Sequence, residues 1–132
     1  MRQLHWTTEH AVFEGEFDAE HRELFRLGEE VRLAHEAGAD AQAIGEAVRR
    51  LAAAAEAHFA HEERMMRSAR YSGYAWHKHL HDGARERLQS LAAEPDELVT
   101  YLARWLREHT AVADRMMASS LRNAGRARAA AS

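Results

Sequence analysis

Cysteine is absent from the 132-residue chain, which removes disulfide frameworks, thiolate metal sites and thiol redox chemistry together. Any redox work must be done by a bound cofactor. Proline occurs once and glycine seven times, and the abundance of Ala, Leu, Glu and Arg favours helix throughout. No apolar run approaches the roughly twenty residues that cross a bilayer; the longest small-apolar stretch is Leu51–Ala55. Nothing reads as a signal peptide, so the cytoplasm is the expected compartment. Neither sign of charge dominates, with 18 Lys and Arg against 21 Asp and Glu. That balance argues against a nucleic-acid-binding stripe and against tight binding to anionic membranes. The length suits one domain with a real core and is too short for two.

What the chain holds in excess is histidine, ten in all. Their meaning depends on where the helices fall. Apolar residues recur at three- and four-residue intervals in four stretches. Residues 1–17 read as an irregular arm whose Trp6, Val12 and Phe13 pack back onto the domain. Asp18 is the expected N-cap of a first helix over 19–37, with Phe17, His21, Leu24, Gly28, Val31 and His35 on its inward stripe. Gly38 and Asp40 end that helix and cap the next. The second, over 41–67, turns Ile44, Val48, Leu51, Ala55, His58, Glu62 and Met65 inward. After a loop with Ser72 as cap, the third, over 74–92, aligns Tyr74, His77, His81, Ala84, Leu88 and Leu91. Pro95 suits the first turn of a fourth, over 96–121, with Leu98, Leu102, Trp105, His109, Val112 and Met116 inward. Short connections between four helices predict an all-α, antiparallel up-down-up-down four-helix bundle with an N-terminal arm. A single domain would then divide into the arm (1–17), the bundle (18–121) and a small, basic, flexible tail (122–132).

Four fragments concentrate the histidines: FDAEH ending at His21, HFAHE from His58 to Glu62, HKHLH from His77 to His81, and HTAVAD from His109 to Asp114. Together they offer five imidazoles and two carboxylates, a full ligand set for two metal ions. Burying so many polar groups is costly unless something coordinates or pairs with them. Neutral imidazole suits iron, copper, zinc or nickel, and carboxylates can bridge two cations. The four-residue spacing of His58/Glu62 and of His77/His81 puts each pair on one helix face. Neither spacing is specific alone, since His5/Glu9 and His10/Glu14 repeat it in the arm, and a lone histidine is ordinarily a surface or hydrogen-bonded core residue. What favours a metal site is that all four fragments land on inward faces. His79, about 200° around the helix from His77, should face solvent. His61 sits beside the stripe as a hydrogen-bond partner for Glu62 or a neighbour, and His35 should meet the end of its own helix. His5 and His10 read as surface residues. Asp114 is awkward: five residues after His109, it lies about 140° away on a regular helix. Either the helix distorts there, as a π-bulge would allow, or the two side chains approach the metals from different sides.

Those fragments, with Trp6, carry a resemblance. FDAEHRELF (17–25), HFAHEERMM (58–66), GYAWHKHLH (73–81) and WLREHTAVAD (105–114) resemble, in this order, the hemerythrin family and specifically its bacterial single-domain bacteriohemerythrins. The resemblance implies a non-haem di-iron centre. His77, His81 and His109 would ligate one iron, and His21 and His58 the other. Glu62 and Asp114 would bridge the two, together with a solvent-derived oxo or hydroxo group. It also gives a reason for Asp114, because the family pairs its last histidine with an aspartate five residues on. The implied function is reversible O2 binding at the open position of the two-histidine iron, for oxygen storage, delivery or buffering, with no catalytic residue. A protein partner receiving oxygen or a signal is compatible with it. Leu24, Phe59, Trp105, Leu106 and Thr110 neighbour the ligands at helical spacing and would seal the O2 pocket; as plain core residues they would look the same. The chain departs from the family in Thr110, where a bulky aliphatic is usual, in Glu20, where glutamine is common, and in lacking a proline before His77. The alternatives are a di-iron redox enzyme reducing peroxide, O2 or nitric oxide, with Thr110 or His61 as proton donor, and an iron-storage or sensing module. A ferritin-like di-iron bundle needs two Glu-x-x-His motifs, whereas this chain has one Asp-x-x-His, at Asp18/His21.

Overall fold

The structure, a computed structural model, describes residues 15–131, with side chains through residue 125. Trp6, Val12, Phe13, His5 and His10 of the expected arm lie outside the described residues. The helices are α1 (Gly15–Glu36), α2 (Ala41–Ser68), α3 (Tyr74–Ser90), α4 (Pro95–His109) and α5 (Arg115–Ala131), with a π-helical turn at Thr110–Asp114 joining the last two into one rod. α1 packs on α2 and α4, α2 also on α3, and α3 on α4, closing a four-helix bundle. No strand occurs among the described residues, and no helix among them is long and apolar enough to cross a membrane.

Local chemistry sets the boundaries. Asp40 caps α2, its carboxylate accepting from the Ala43 N–H at 2.8 Å, which satisfies a donor that the first turn leaves unpaired. Gly38 takes φ 73° just after α1, a left-handed conformation that glycine adopts without strain. Pro95 opens α4, where its missing N–H costs nothing. Three boundaries differ from the sequence expectation. Asp18 lies inside α1 and is not its N-cap, because the chain is already helical from Gly15 on. Phe17 is buried there against Met66, Met117 and Ala118, and Glu16 and Asp18 complement the positive end of the helix dipole. Ser72 does not cap α3; Gly73 holds that position with no side-chain bond. Helix also continues through the expected flexible tail to Ala131, in keeping with the strong helix preference of its alanines and arginines.

The interior is layered. The larger apolar cluster draws on Leu24, Leu27 and Val31, Val48 to Phe59, Ala84 to Leu91 and Leu98 to Leu106, and the smaller on Phe17, Met66, Met117 and Ala118. Between them in chain order come His21 on α1, Glu62 on α2 with His58 just before Phe59, and His109 and Asp114 on the last rod, while on α3 His77 and His81 lie between partly buried Tyr74 and Ala84. Helix phase thus delivers all seven polar residues to one level of the bundle.

Leu51, 1% exposed in the larger cluster, and Leu33, 51% exposed on α1, test this assignment. Leu51→Ala should destabilise the protein by about 2–5 kcal/mol through the cavity it leaves. Leu33→Ala should change stability by no more than about 0.5 kcal/mol, both read from urea unfolding followed by circular dichroism at equal metal content.

Candidate metal centre

Each helix contributes to the polar layer at positions chosen by its own inward stripe. α1 supplies His21, α2 His58 and Glu62, α3 His77 and His81, α4 His109, and the π turn Asp114; all seven are buried. They form two overlapping sets that share the carboxylates. One is Glu62, His77, His81, His109 and Asp114, the other His21, His58, Glu62 and Asp114; within each set, one ligand atom per residue lies within 4.8 Å of all the others.

The carboxylates divide their oxygens between the sets. Oδ1 of Asp114 lies 2.8 Å from His109 Nε2 and 2.9 Å from His77 Nε2, while its Oδ2 lies 3.2 Å from His21 Nε2. Oε1 of Glu62 lies 2.9 Å from His81 Nε2 and 3.5 Å from His77 Nε2, and its Oε2 3.5 Å from His58 Nε2. Close as they are, these approaches are not aligned as hydrogen bonds. Both oxygens of Glu62 and of Asp114, with His81 Nε2, are buried without a hydrogen-bond partner among the described residues. Native interiors pair nearly all such atoms. The imidazoles crowd the same space, His21 Nε2 lying 2.9 Å from His58 Nε2 and His109 Nε2 3.0 Å from His77 Nε2, and ring nitrogens gathered this closely around unpaired carboxylate oxygens fit two cations held between bridging carboxylates.

Protonation follows the same logic. Nδ1 of His58 lies 2.7 Å from Glu20, and Nδ1 of His81 lies 2.8 Å from Glu63, which Arg85 holds in turn. Burial pushes Glu20 and Glu63 up, but these partners outweigh it and hold both below the usual carboxylate range. An ionised carboxylate only accepts, so each ring donates from Nδ1 and keeps Nε2 for the centre. At the centre itself, burial and Asp114 push the Glu62 carboxyl up, yet His58, His77 and His81 bring it down to about 2. Burial opposes charge on His77, but Asp114 and Glu62 push it up to about 9. Two ionised carboxylates in a dry interior demand positive charge beside them, which a proton or a metal ion satisfies.

The π turn explains Asp114. At about 4.4 residues per turn, the wider helix brings residues five apart onto nearly one face. Thr110 supports the distortion: its hydroxyl donates to the Leu106 carbonyl at 2.6 Å, a bond known to bend helices. The extra residue shifts everything downstream by one position. Ala113, Met117 and Ala118 are buried, whereas Val112 and Met116, expected inward, are more than half exposed. Met65 is likewise exposed and Met66 buried, since Met66 continues the four-residue step from His58 and Glu62.

Of the expected pocket residues, Leu24, Phe59, Leu106 and Thr110 are buried and Trp105 is half-buried. Phe59 stacks on His81 with ring centroids 4.6 Å apart, and Trp105 on His109 at 4.1 Å. His79 faces solvent, as expected. His61 meets Glu20, and His35 pairs with Asp96 of α4 in place of its own helix end. Sequence reasoning missed Glu63 and Arg85 as supports of His81 and saw in Glu20 only a departure from a pattern. The available signal was position, since Glu20 and Glu63 each adjoin a residue of the centre.

Residues 12–121 match the family model described as Hemerythrin HHE cation binding domain. A hemerythrin subunit of Sipunculus nudus is 32% identical over 114 residues, 83% of this chain and 86% of that protein. Myohemerythrin of Riftia pachyptila is 31% identical over 105 residues, 79% and 82% of the respective chains. A bacteriohemerythrin of Stenotrophomonas maltophilia is 31% identical over 116 residues, 83% and 75% of the respective chains. No solved structure matches the chain.

The π turn amounts to one inserted residue. Deleting exposed Val112 should therefore restore a regular helix in which histidine and aspartate stand four residues apart, still on one face. The variant is expected to keep its helicity by circular dichroism and to bind two metal ions per chain in anaerobic titration. Loss of an ion would mean that the shape of the turn, beyond the shared face, positions Asp114.

Proposed function

Because the chain belongs to the hemerythrin family, we propose that it binds O2 reversibly at a non-haem di-iron centre, for oxygen storage, delivery or buffering. One observation carries this reading: the buried carboxylate oxygens of Glu62 and Asp114, without a hydrogen bond among the described residues, facing five imidazoles. His77, His81 and His109 would hold one iron, His21 and His58 the other, and Glu62 and Asp114 would span both. When bound, such an iron pair supplies reversible two-electron exchange with O2. The set with two imidazoles has one protein ligand fewer than its neighbour, and that difference leaves room for O2 on its side.

The protein's own residues shape and dry the space. Leu24, Phe59 and Leu106 are each about 1% exposed and pack in the apolar core, and Trp105 covers His109. These residues, with Thr110, would exclude water from the pocket. The enzyme alternative, reduction of peroxide, O2 or nitric oxide, needs a proton donor beside the ligand. Thr110 has its hydroxyl engaged by the Leu106 carbonyl, and His61 turns Nδ1 to Glu20, so both named donors are already committed, which favours the carrier. The cysteine-free composition fits a reducing, cytoplasmic setting, in which a protein partner would receive oxygen or a signal.

The test is an absorption spectrum of anaerobically reduced, iron-loaded protein, taken before O2, with O2 and after its removal. A charge-transfer band that comes and goes with O2 is the expected result; one-way conversion to a stable oxidised spectrum would point to turnover instead. Glu62→Ala should lower iron content below two per chain and lower the melting temperature, because it removes a bridge and leaves charge uncompensated. Wild-type iron content and melting temperature in that variant would remove Glu62 from the ligand set.

A further inference from the structure

The two ligand sets are supported unequally from outside. In the three-histidine set, Phe59 and Trp105 stack on two of the rings. His81 also donates to Glu63, which Arg85 fixes while itself held by Glu56 and Asp82. The two-histidine set has less. His21 Nδ1, like His77 Nδ1 in the other set, is buried with no hydrogen-bond partner among the described residues, and no aromatic ring stacks face-on against either histidine of this set there. His58 touches Phe17 only edge-on, with centroids 6.5 Å apart. Apart from its contact with His21 inside the centre, its directional support among the described residues is Glu20, whose Oε1 lies 2.7 Å from His58 Nδ1.

Glu20 would be a poor support alone, because its side chain is one-third exposed and free to turn to water. His61 changes that. Its Nδ1 lies 2.6 Å from the second oxygen of Glu20, its ring lies against Phe17 with centroids 5.0 Å apart, and its Nε2 lies 3.5 Å from Glu16. Glu20 is thereby held at both oxygens, by two rings three residues apart on α2. We infer that Glu20 and His61 are a positioning pair for the two-histidine metal site, fixing the ring of His58 with its proton on Nδ1 and Nε2 presented to the metal. This rests on the di-iron reading above and assigns to that site a specific outer support. Removing it should weaken one metal position and spare the other, since Glu20 and Glu63 anchor rings of different sets.

The experiment combines anaerobic Fe(II) titration, read by native mass spectrometry, with NMR of the His58 Nδ1 proton in the diamagnetic Zn(II)-loaded protein. Circular dichroism checks that each variant is folded. Wild type should bind two ions and show a downfield, slowly exchanging Nδ1 proton. In Glu20→Ala the first ion should bind as in wild type, the second about 10–100-fold more weakly, and the proton should exchange fast. Glu20→Gln retains an accepting oxygen and should restore both the second ion and the slow proton. His61→Phe keeps an aromatic ring against Phe17 but frees Glu20, and should fall between wild type and Glu20→Ala. Two ions at wild-type affinity in Glu20→Ala, an unchanged Nδ1 proton there, or a Glu20→Gln variant as impaired as Glu20→Ala would each overturn the inference. A wild-type protein that takes up no pair of ions would overturn the di-iron reading itself, a different outcome from any of these.

Discussion

Five imidazoles and two carboxylates meet in an interior that excludes water, and the negative charge of the carboxylates must be answered there. Desolvation penalises an unpaired buried charge heavily, so the arrangement is tenable only with positive charge at its centre. Much of the bundle's design follows. The apolar core is split so that a polar layer can lie between its parts. Each helix is phased to bring its histidines or carboxylate to that layer. The division of oxygens, one toward each imidazole set, lets two carboxylates serve two positions.

Around that centre the protein uses two kinds of support. Aromatic rings press on imidazole faces, as Phe59 does on His81 and Trp105 on His109. Carboxylates anchor imidazole edges, and each of these is itself anchored, Glu63 by an arginine and Glu20 by a second histidine. The supports are richer around the three-histidine set, which offers one protein side chain more than its neighbour. Around the two-histidine set they are sparer, on the side proposed to admit and release a small ligand.

The fold and most of the centre are legible in the sequence, for a definite physical reason. His21, His58, Glu62, His77, His81 and His109 lie on apolar stripes at three- and four-residue steps, so a regular helix turns each inward. Asp114 does not, and only the family resemblance singled it out; spacing left two explanations, of which the π turn is the one found. Carrying a single period through that turn put Val112 and Met116 inside, one residue out of place. The outer supports were illegible for another reason. Glu63 meets His81 across 18 residues of chain and Glu20 meets His58 across 38, and in a chain so rich in charged helix faces their one local mark, a place beside His21 or Glu62, does not say which ring each would meet.

The π turn also bears on how this chain should be compared with others. It adds one residue within an otherwise continuous rod. Superposing that rod on a straight helix therefore requires a one-residue gap in mid-helix, the place where alignment schemes penalise gaps most. Without it, Asp114 would fall in a surface column and Val112 and Met116 in core columns, and a distant relative with a regular fourth helix would be scored as lacking an inward carboxylate that it possesses.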